Sequence, residues 1–213
     1  VCDAVIAGRG AVHNVSKYVL MGSSSNFGNM FSMAGAALFL PFLPMLPIQI
    51  LLNNLLYDAS EVAIPFDNVD AEITARPVKW DIRLIQRFML VFGPVSSIFD
   101  FLTFYALLYL FGASQALFQT GWFIESITTQ IIVVFAIRTR RLFFRSKPRG
   151  FLVAMAFAAI AVAIALPLLP IGRWFGFVPP PLLFFVFLIG ATAAYLTVTE
   201  IAKVAFYRFA VAR

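Results

Sequence analysis

The residues of this chain that could do chemistry sit close together. Asn54, Asp58 and Glu61 follow at intervals of four and three inside a long apolar stretch. That spacing sets an amide and two carboxylates on one helical face. In the apolar stretch before it, Asn26 and Asn29 are three apart and also share a face. Carboxylate and carboxamide oxygens are ligands for hard cations. A carboxylate near the middle of a membrane helix costs about 2.5–3.5 kcal/mol on insertion scales, so it faces a partner, water or an ion. Two readings are open for these residues: a cation site, or interhelical hydrogen bonding, a common use of Asn in membranes. Asp58 favours the cation, because it can carry a full charge that packing does not need and no Lys or Arg stands at its depth. Gly28, between the two asparagines, allows close backbone approach or local unwinding.

Other polar residues in apolar stretches have plainer readings. Asp100, between Phe99 and Phe101, is expected to cap a packing network. Glu125, with Thr128 and Thr129 one turn on, is read equally as an ion ligand or a structural hydrogen-bonding group. Tyr57 either hydrogen-bonds a carboxylate or packs. Glu200 is expected to pair with Lys203 or to snorkel. His13, the one histidine, is read as a surface or packing residue.

These side chains must be held by membrane helices. The chain has 213 residues, 62% hydrophobic and 12% charged. A soluble domain carries about 25% charged residues, so this is an integral membrane protein. Six apolar stretches have about the length of a span, at 17–40, 45–64, 87–112, 117–137, 150–170 and 181–205. They are continuous and lack period-two alternation, which predicts an all-α membrane protein, a bundle of six transmembrane helices. Pro41, Pro44 and Pro47 cannot sit in one regular helix and predict a tight reversal between the first two stretches. The single cysteine, Cys2, can form no internal disulfide. Residue 1 is Val and nothing resembles a signal peptide, so the chain is expected to be part of a longer polypeptide.

With residue 1 in the cytoplasm, every Lys and Arg except Arg173 lies on the cytoplasmic side or at its edge. That asymmetry predicts a multi-pass protein of the cell inner (plasma) membrane with both ends cytoplasmic. The loop 138–149 carries Arg138, Arg140, Arg141, Arg145, Lys147 and Arg149. Membrane lipid is the expected partner, with anionic headgroups on this loop as the functional reading and a topology signal as the plain one. Nucleic acid is not an expected partner, since no basic face with aromatic platforms on a soluble fold is visible.

No Gly-rich phosphate loop, no Ser/His/Asp set and no TVGYG filter occurs. The two halves share no internal repeat of the kind inverted-repeat transporters carry. The runs Ser24-Ser25-Asn26-Phe27-Gly28-Asn29, Pro44-Met45-Leu46-Pro47-Ile48-Gln49 and Asn54-Leu55-Leu56-Tyr57-Asp58 resemble the fifth and sixth membrane helices of P-type cation-transporting ATPases. Glu61 to Asp70, Arg87-Phe88-Met89, Phe92-Gly93-Pro94, Gln119 to Phe123 and Ile137 to Arg141 are similar to the bacterial magnesium-transporting branch.

The resemblance covers nearly the whole chain and implies helices five to ten of such a pump. Residues 1–11 would end the cytoplasmic phosphorylation domain or its linker, and 12–213 would be the C-terminal transmembrane domain. Asn26, Asn29, Asn54 and Asp58 would be metal ligands, with Glu61 and Glu125 as weaker candidates. Tyr57 and Asn29 replace a Thr and a Glu of calcium-pump relatives, which points away from calcium. Mg²⁺ import is what the resemblance implies, Mg²⁺ being the transported ion. ATP would serve the full-length protein only, because the family's DKTG, TGES and TGDGxND motifs are absent here and no catalytic residue is expected in this chain. The cytoplasmic domains of the same polypeptide are the implied partners, touched by the loop 66–86. The alternative is a free-standing six-helix protein from a truncated gene, with an accessory or structural role.

Overall fold

The computed structural model describes residues 2–70 and 81–210. Among them there are six α-helices and no strand. Helix α1 spans Cys2–Ala36, α2 Pro47–Glu61, α3 Ile82–Tyr105, α4 Gln115–Ile137, α5 Gly150–Ala165 and α6 Leu182–Ala210.

Four helical segments are long and apolar enough to cross a membrane: Ile82–Leu110, Gln115–Ile137, Gly150–Leu168 and Leu182–Arg208. They are α3 with the π-turn Ala106–Leu110, α4, α5 with the 3-10 turn Leu166–Leu168, and α6. These match four of the six expected spans within a few residues. The first two are not among these four, although α2 lies within three residues of its expected bounds at each end. Helix α1 begins at Cys2, runs 35 residues without a break at residue 11 and stops at Ala36, short of the expected end at 40. Its polar run from Ser23 to Asn29 keeps it below the apolarity of the others. Helix α2 has only 15 residues, about 22 Å at about 1.5 Å per residue, less than the roughly 30 Å hydrocarbon layer. Pro47 starts it at a position where a missing N–H costs nothing, and Pro65 lies in the 3-10 turn Ile64–Phe66 just beyond it.

Helix α4 is the centre of the bundle, with 89% of its most apolar window buried. Phe104, Phe118, Trp122, Phe123 and Phe184 interlock around it. Ring pairs such as Phe104–Trp122, edge-on at 4.9 Å, add to the area they bury. Helices α1 and α3 cross where each has a glycine. A Cβ on Gly28 would stand 3.2 Å from the Gly93 carbonyl oxygen, and one on Gly93 would stand 2.5 Å from Phe27 Cδ1. Ser97 Oγ donates to both glycine carbonyls, at 3.0 and 3.2 Å. Helix α1 continues through Gly28, so of its two expected uses the structure shows close approach and not unwinding.

The proline-rich reversal lies at one end of the bundle. Leu46 N–H donates to Gln49 Oε1 at 3.0 Å, Gln49 Nε2 donates to Phe175 O at 2.9 Å, and Gln119 Nε2 donates to Leu43 O at 2.7 Å. The segment 62–70 and the basic loop 138–149 meet at the opposite end.

Candidate ion-binding site

Helices α1 and α2 part toward the proline-rich end and close toward the basic end. At the closed end a side chain on Gly22 would stand 3.5 Å from Glu61 Oε2, and Glu61 is 2% exposed. At the open end lies a cavity of about 340 Å³, far above the roughly 10–15 Å³ one water needs. Its polar lining is Asn26 and Asn29 from α1, Asn53 and Asn54 from α2, and Ser126 from α4. Trp122 and three methionines supply much of the apolar wall. Ser126 Oγ donates to Asn29 Oδ1 at 3.4 Å and itself accepts from Gln130 Nε2.

Three of the expected ligands, Asn26, Asn29 and Asn54, therefore share one cavity, and Asp58 is not in its lining. Helix α2 turns Gln49, Asn53, Tyr57, Ser60 and Glu61 inward. Its opposite side exposes Leu51, Asn54, Leu55, Asp58 and Val62. Asp58 has no hydrogen bond or ion pair with a described residue. The turn of α2 brings Asn53, and not Asp58, into the cavity with the α1 asparagines.

Asn53 is the residue that sequence reasoning missed. It is 2% exposed, and both its Oδ1 and Nδ2 lack a hydrogen-bond partner among the described residues. A buried carboxamide without partners forgoes about 1–3 kcal/mol, and this one lines the cavity. The sequence held a signal: Gln49, Asn53 and Tyr57 recur every four residues, a second polar face on the same helix.

Glu61 and Glu125 lie outside the cavity lining. Glu61 packs at the closed end beside Tyr57. Glu125 is buried on α4, and Thr128 and Thr129 donate to carbonyls of their own helix at 2.7 and 2.8 Å. Asp100 caps a buried network as expected: Ser32 Oγ donates to its Oδ2 at 2.5 Å and Trp122 Nε1 to its Oδ1 at 2.9 Å. No cluster of three His, Cys, Asp or Glu suited to a metal occurs among the described residues.

At the basic end, Asp67 ties three segments together. Lys17 Nζ of α1 donates to its Oδ2 at 3.1 Å and Arg138 Nη1 at 2.7 Å, while Arg149 N–H donates to Oδ1 at 3.1 Å. Arg138 also donates to Ser146 Oγ at 3.1 Å. Asp70 accepts from Thr139 Oγ1 at 2.6 Å and Ser146 Oγ at 2.8 Å. Burial pushes the Asp70 carboxyl up, but those hydrogen bonds and the charges of Arg141 and Arg138 outweigh it and hold it below the usual range. Lys203 Nζ pairs with Glu200 at 2.8 Å and donates to Ala136 O at 2.8 Å. Of the loop charges, Arg138 is buried in this network, Arg140 lies 5.1 Å over the Tyr207 ring, Arg141 is 3.9 Å from Asp70 and Arg149 Nη1 donates to Phe66 O at 3.2 Å, structural contacts that neither expectation for the loop foresaw. Of the loop 66–86, residues 71–80 lie outside the described residues.

A helical membrane domain with an amide-lined cavity between its first two helices is the class of protein that fold and site define. The chain belongs to the cation-transporting ATPase C-terminal family, whose pattern it matches over residues 42–205. It is 46% identical over 206 residues to proteins called magnesium-transporting ATPase, P-type 1, from Salmonella typhimurium and from Escherichia coli. Each match covers 94% of this chain and 23% of the relative. A further Salmonella typhimurium protein of that name is 42% identical over 203 residues. The chain spans about a quarter of the length of these relatives, and the likeness lies in their C-terminal membrane region.

Proposed function

We propose that this chain is the C-terminal membrane part, helices five to ten, of an ATP-driven pump that imports Mg²⁺. All six helices cross the bilayer in this reading, with both ends in the cytoplasm and the membrane being the cell inner membrane. The observation that carries it is the amide-lined cavity with the unpartnered Asn53 at its inner wall, in a chain so similar to magnesium-transporting ATPases.

Carboxamide oxygens suit a small, strongly hydrated ion. Mg²⁺ keeps several of its waters and takes one or two carboxylates at most. Asn26, Asn29, Asn53 and Asn54 serve as oxygen ligands or as partners of the ion's waters. Asp58 supplies the charge from the rim. Its exposure is the argument for a cover: a carboxylate open to hydrocarbon costs about 2.5–3.5 kcal/mol, and the relatives have more than three-quarters of their length beyond this match. In the assembled pump another part of the polypeptide closes this face of α1 and α2. ATP and the phosphorylated aspartate belong to those parts, and the segment 66–86 transmits their motion. The five exposed basic residues of 138–149 lie with exposed Phe143 and Phe144, which fits contact with anionic headgroups.

The test is Asn53→Leu and Asp58→Asn, each in the full-length pump, with Mg²⁺ uptake and Mg²⁺-stimulated ATP hydrolysis measured in proteoliposomes. Both variants are expected to lose at least tenfold in apparent Mg²⁺ affinity. Wild-type uptake in both would overturn the assignment.

A further inference from the structure

Six polar side chains from five helices converge on a second, smaller cavity, set from the amide-lined one toward the basic end. Ser24 and Ser25 come from α1, Tyr57 from α2, Ser96 from α3, Gln130 from α4 and Tyr195 from α6. All but Ser25 are at most 8% exposed. Ser25 Oγ is itself buried and has no partner among the described residues. Met21, Phe92, Val133 and Ile137 close the rest of the wall, and no charged side chain is in the lining. The space is about 10 Å³, the size of a single water.

Size and chemistry together select the occupant. With the cavity dry, the Ser25 hydroxyl forgoes about 1–3 kcal/mol. A buried water makes about three hydrogen bonds, so it serves Ser25 and still engages two of the other polar groups. Hydroxyls both donate and accept, which suits either orientation of the water. Gln130 Nε2 is committed to Ser126 Oγ, which leaves Gln130 Oε1 as an acceptor. Ser126 Oγ donates in turn to Asn29 Oδ1 at 3.4 Å, on the wall of the amide-lined cavity. A bare cation fits poorly, because the lining holds no anion and an unbalanced buried charge costs far more than a water.

We propose that this cavity is a binding site for one ordered water, held by Ser25, Gln130 and the hydroxyls around them and joining α1, α2, α3, α4 and α6. The water stands at the far end of a hydrogen-bonded row, Gln130, Ser126 and Asn29, that finishes in the amide-lined cavity. It fixes Gln130 at Oε1 while Ser126 fixes it at Nε2. Gln130 then supports Ser126, and Ser126 supports Asn29. The water site stands whether or not a cation enters the amide-lined cavity.

The test is X-ray hydroxyl-radical footprinting of the full 213-residue chain in lipid nanodiscs. Radiolysis turns a bound water into a radical that oxidises the ring beside it. Relative to intrinsic reactivity, Tyr57 and Tyr195 are expected to be oxidised faster than Phe118 and Phe123, which are buried away from the cavity. Ser25→Val fills the space with methyl groups and is expected to lose that excess. Tyrosine rates as low as those of the two phenylalanines overturn the proposal, and so does an excess that survives Ser25→Val. An excess that changes when sodium chloride is replaced by choline chloride also overturns it, since the occupant is then a cation. Unfolding in detergent micelles gives an independent sign, and decides should Ser25→Val fail to fold. With the water bound, Ser25→Ala lowers stability; in a dry cavity it relieves an orphaned hydroxyl and raises it, which overturns the proposal. Ser23→Ala, outside the lining, corrects for helix propensity. None of these results depends on Mg²⁺ transport, so the water site and the pump reading can fail separately.

Discussion

Removing the Asp67 carboxylate tests whether the basic end is locked by a buried ion triad. Asp67→Ala deletes the acceptor of Lys17, Arg138 and the Arg149 backbone N–H at once. The side chains of Asp67, Lys17 and Arg138 are 0%, 5% and 1% exposed, so neither cation can turn to water without moving backbone. Breaking a buried pair by removing one partner costs about 3–5 kcal/mol, because the remaining charge stays buried. Two cations are stranded here, but each keeps another acceptor: Arg138 keeps Ser146, and Lys17 keeps Asn68 O at 3.2 Å. The retained bonds hold the expected loss in that range instead of doubling it. In equilibrium terms it is roughly two to three and a half powers of ten. The assay is reversible unfolding of the chain in detergent micelles, followed by tryptophan fluorescence. Lys17→Met added to Asp67→Asn removes one stranded charge and is expected to recover part of the loss. A cost under about 1 kcal/mol for Asp67→Ala, the level of an exposed pair, would refute the reasoning.

Further predictions follow from the helix crossing and the basic end. Gly93→Leu forces carbon atoms into Phe27 and the Gly28 backbone and is expected to lower stability by about 1–3 kcal/mol in the same unfolding assay. Gly8→Ala has nothing within 4 Å of its new methyl and is expected to be neutral or stabilising. Equal effects of the two would discount the crossing. Burial, and then the charges of Lys17 and Arg140, push the His13 imidazole down to about 4 against the opposing pull of Asp70 and Asp67. The unfolded chain therefore takes up that proton near pH 6.5 and the folded chain only near 4, so stability falls as pH drops through that window. Asp70, held below its usual range, extends the loss to lower pH. His13→Gln is expected to flatten the slope between pH 6.5 and 4, and an unchanged slope would place His13 in water.

Several features were legible because they depend on local chemistry alone. Four spans read true because an apolar run of about twenty residues has no other way to satisfy its backbone in a bilayer. The tight reversal read true because Pro41, Pro44 and Pro47 lack the N–H groups a helix needs. The ion pair between Glu200 and Lys203 was visible as a spacing of three on one helix. The first two stretches are not among those four, α1 because its run Ser23 to Asn29 is polar and α2 because it has 15 residues.

Residue spacing by itself determined that Asn26 and Asn29 share a face, that Asn54 lies near Asp58, and that the chain holds acids within its apolar stretches. Tertiary structure alone decided which way those faces point. Helix α2 leans against α1 at Gly22 and stands away from it beyond, which buries Glu61, opens a cavity at Asn54 and leaves Asp58 on the outer side. It also brought Asn53 to the inner wall, and joined Asp100 of α3 to Trp122 of α4 and Ser32 of α1. A helical period fixes the relative angles of side chains on one rod. The rotation of that rod, and its tilt against the next, come from packing at close contacts such as Gly28 on Gly93, which no single segment encodes.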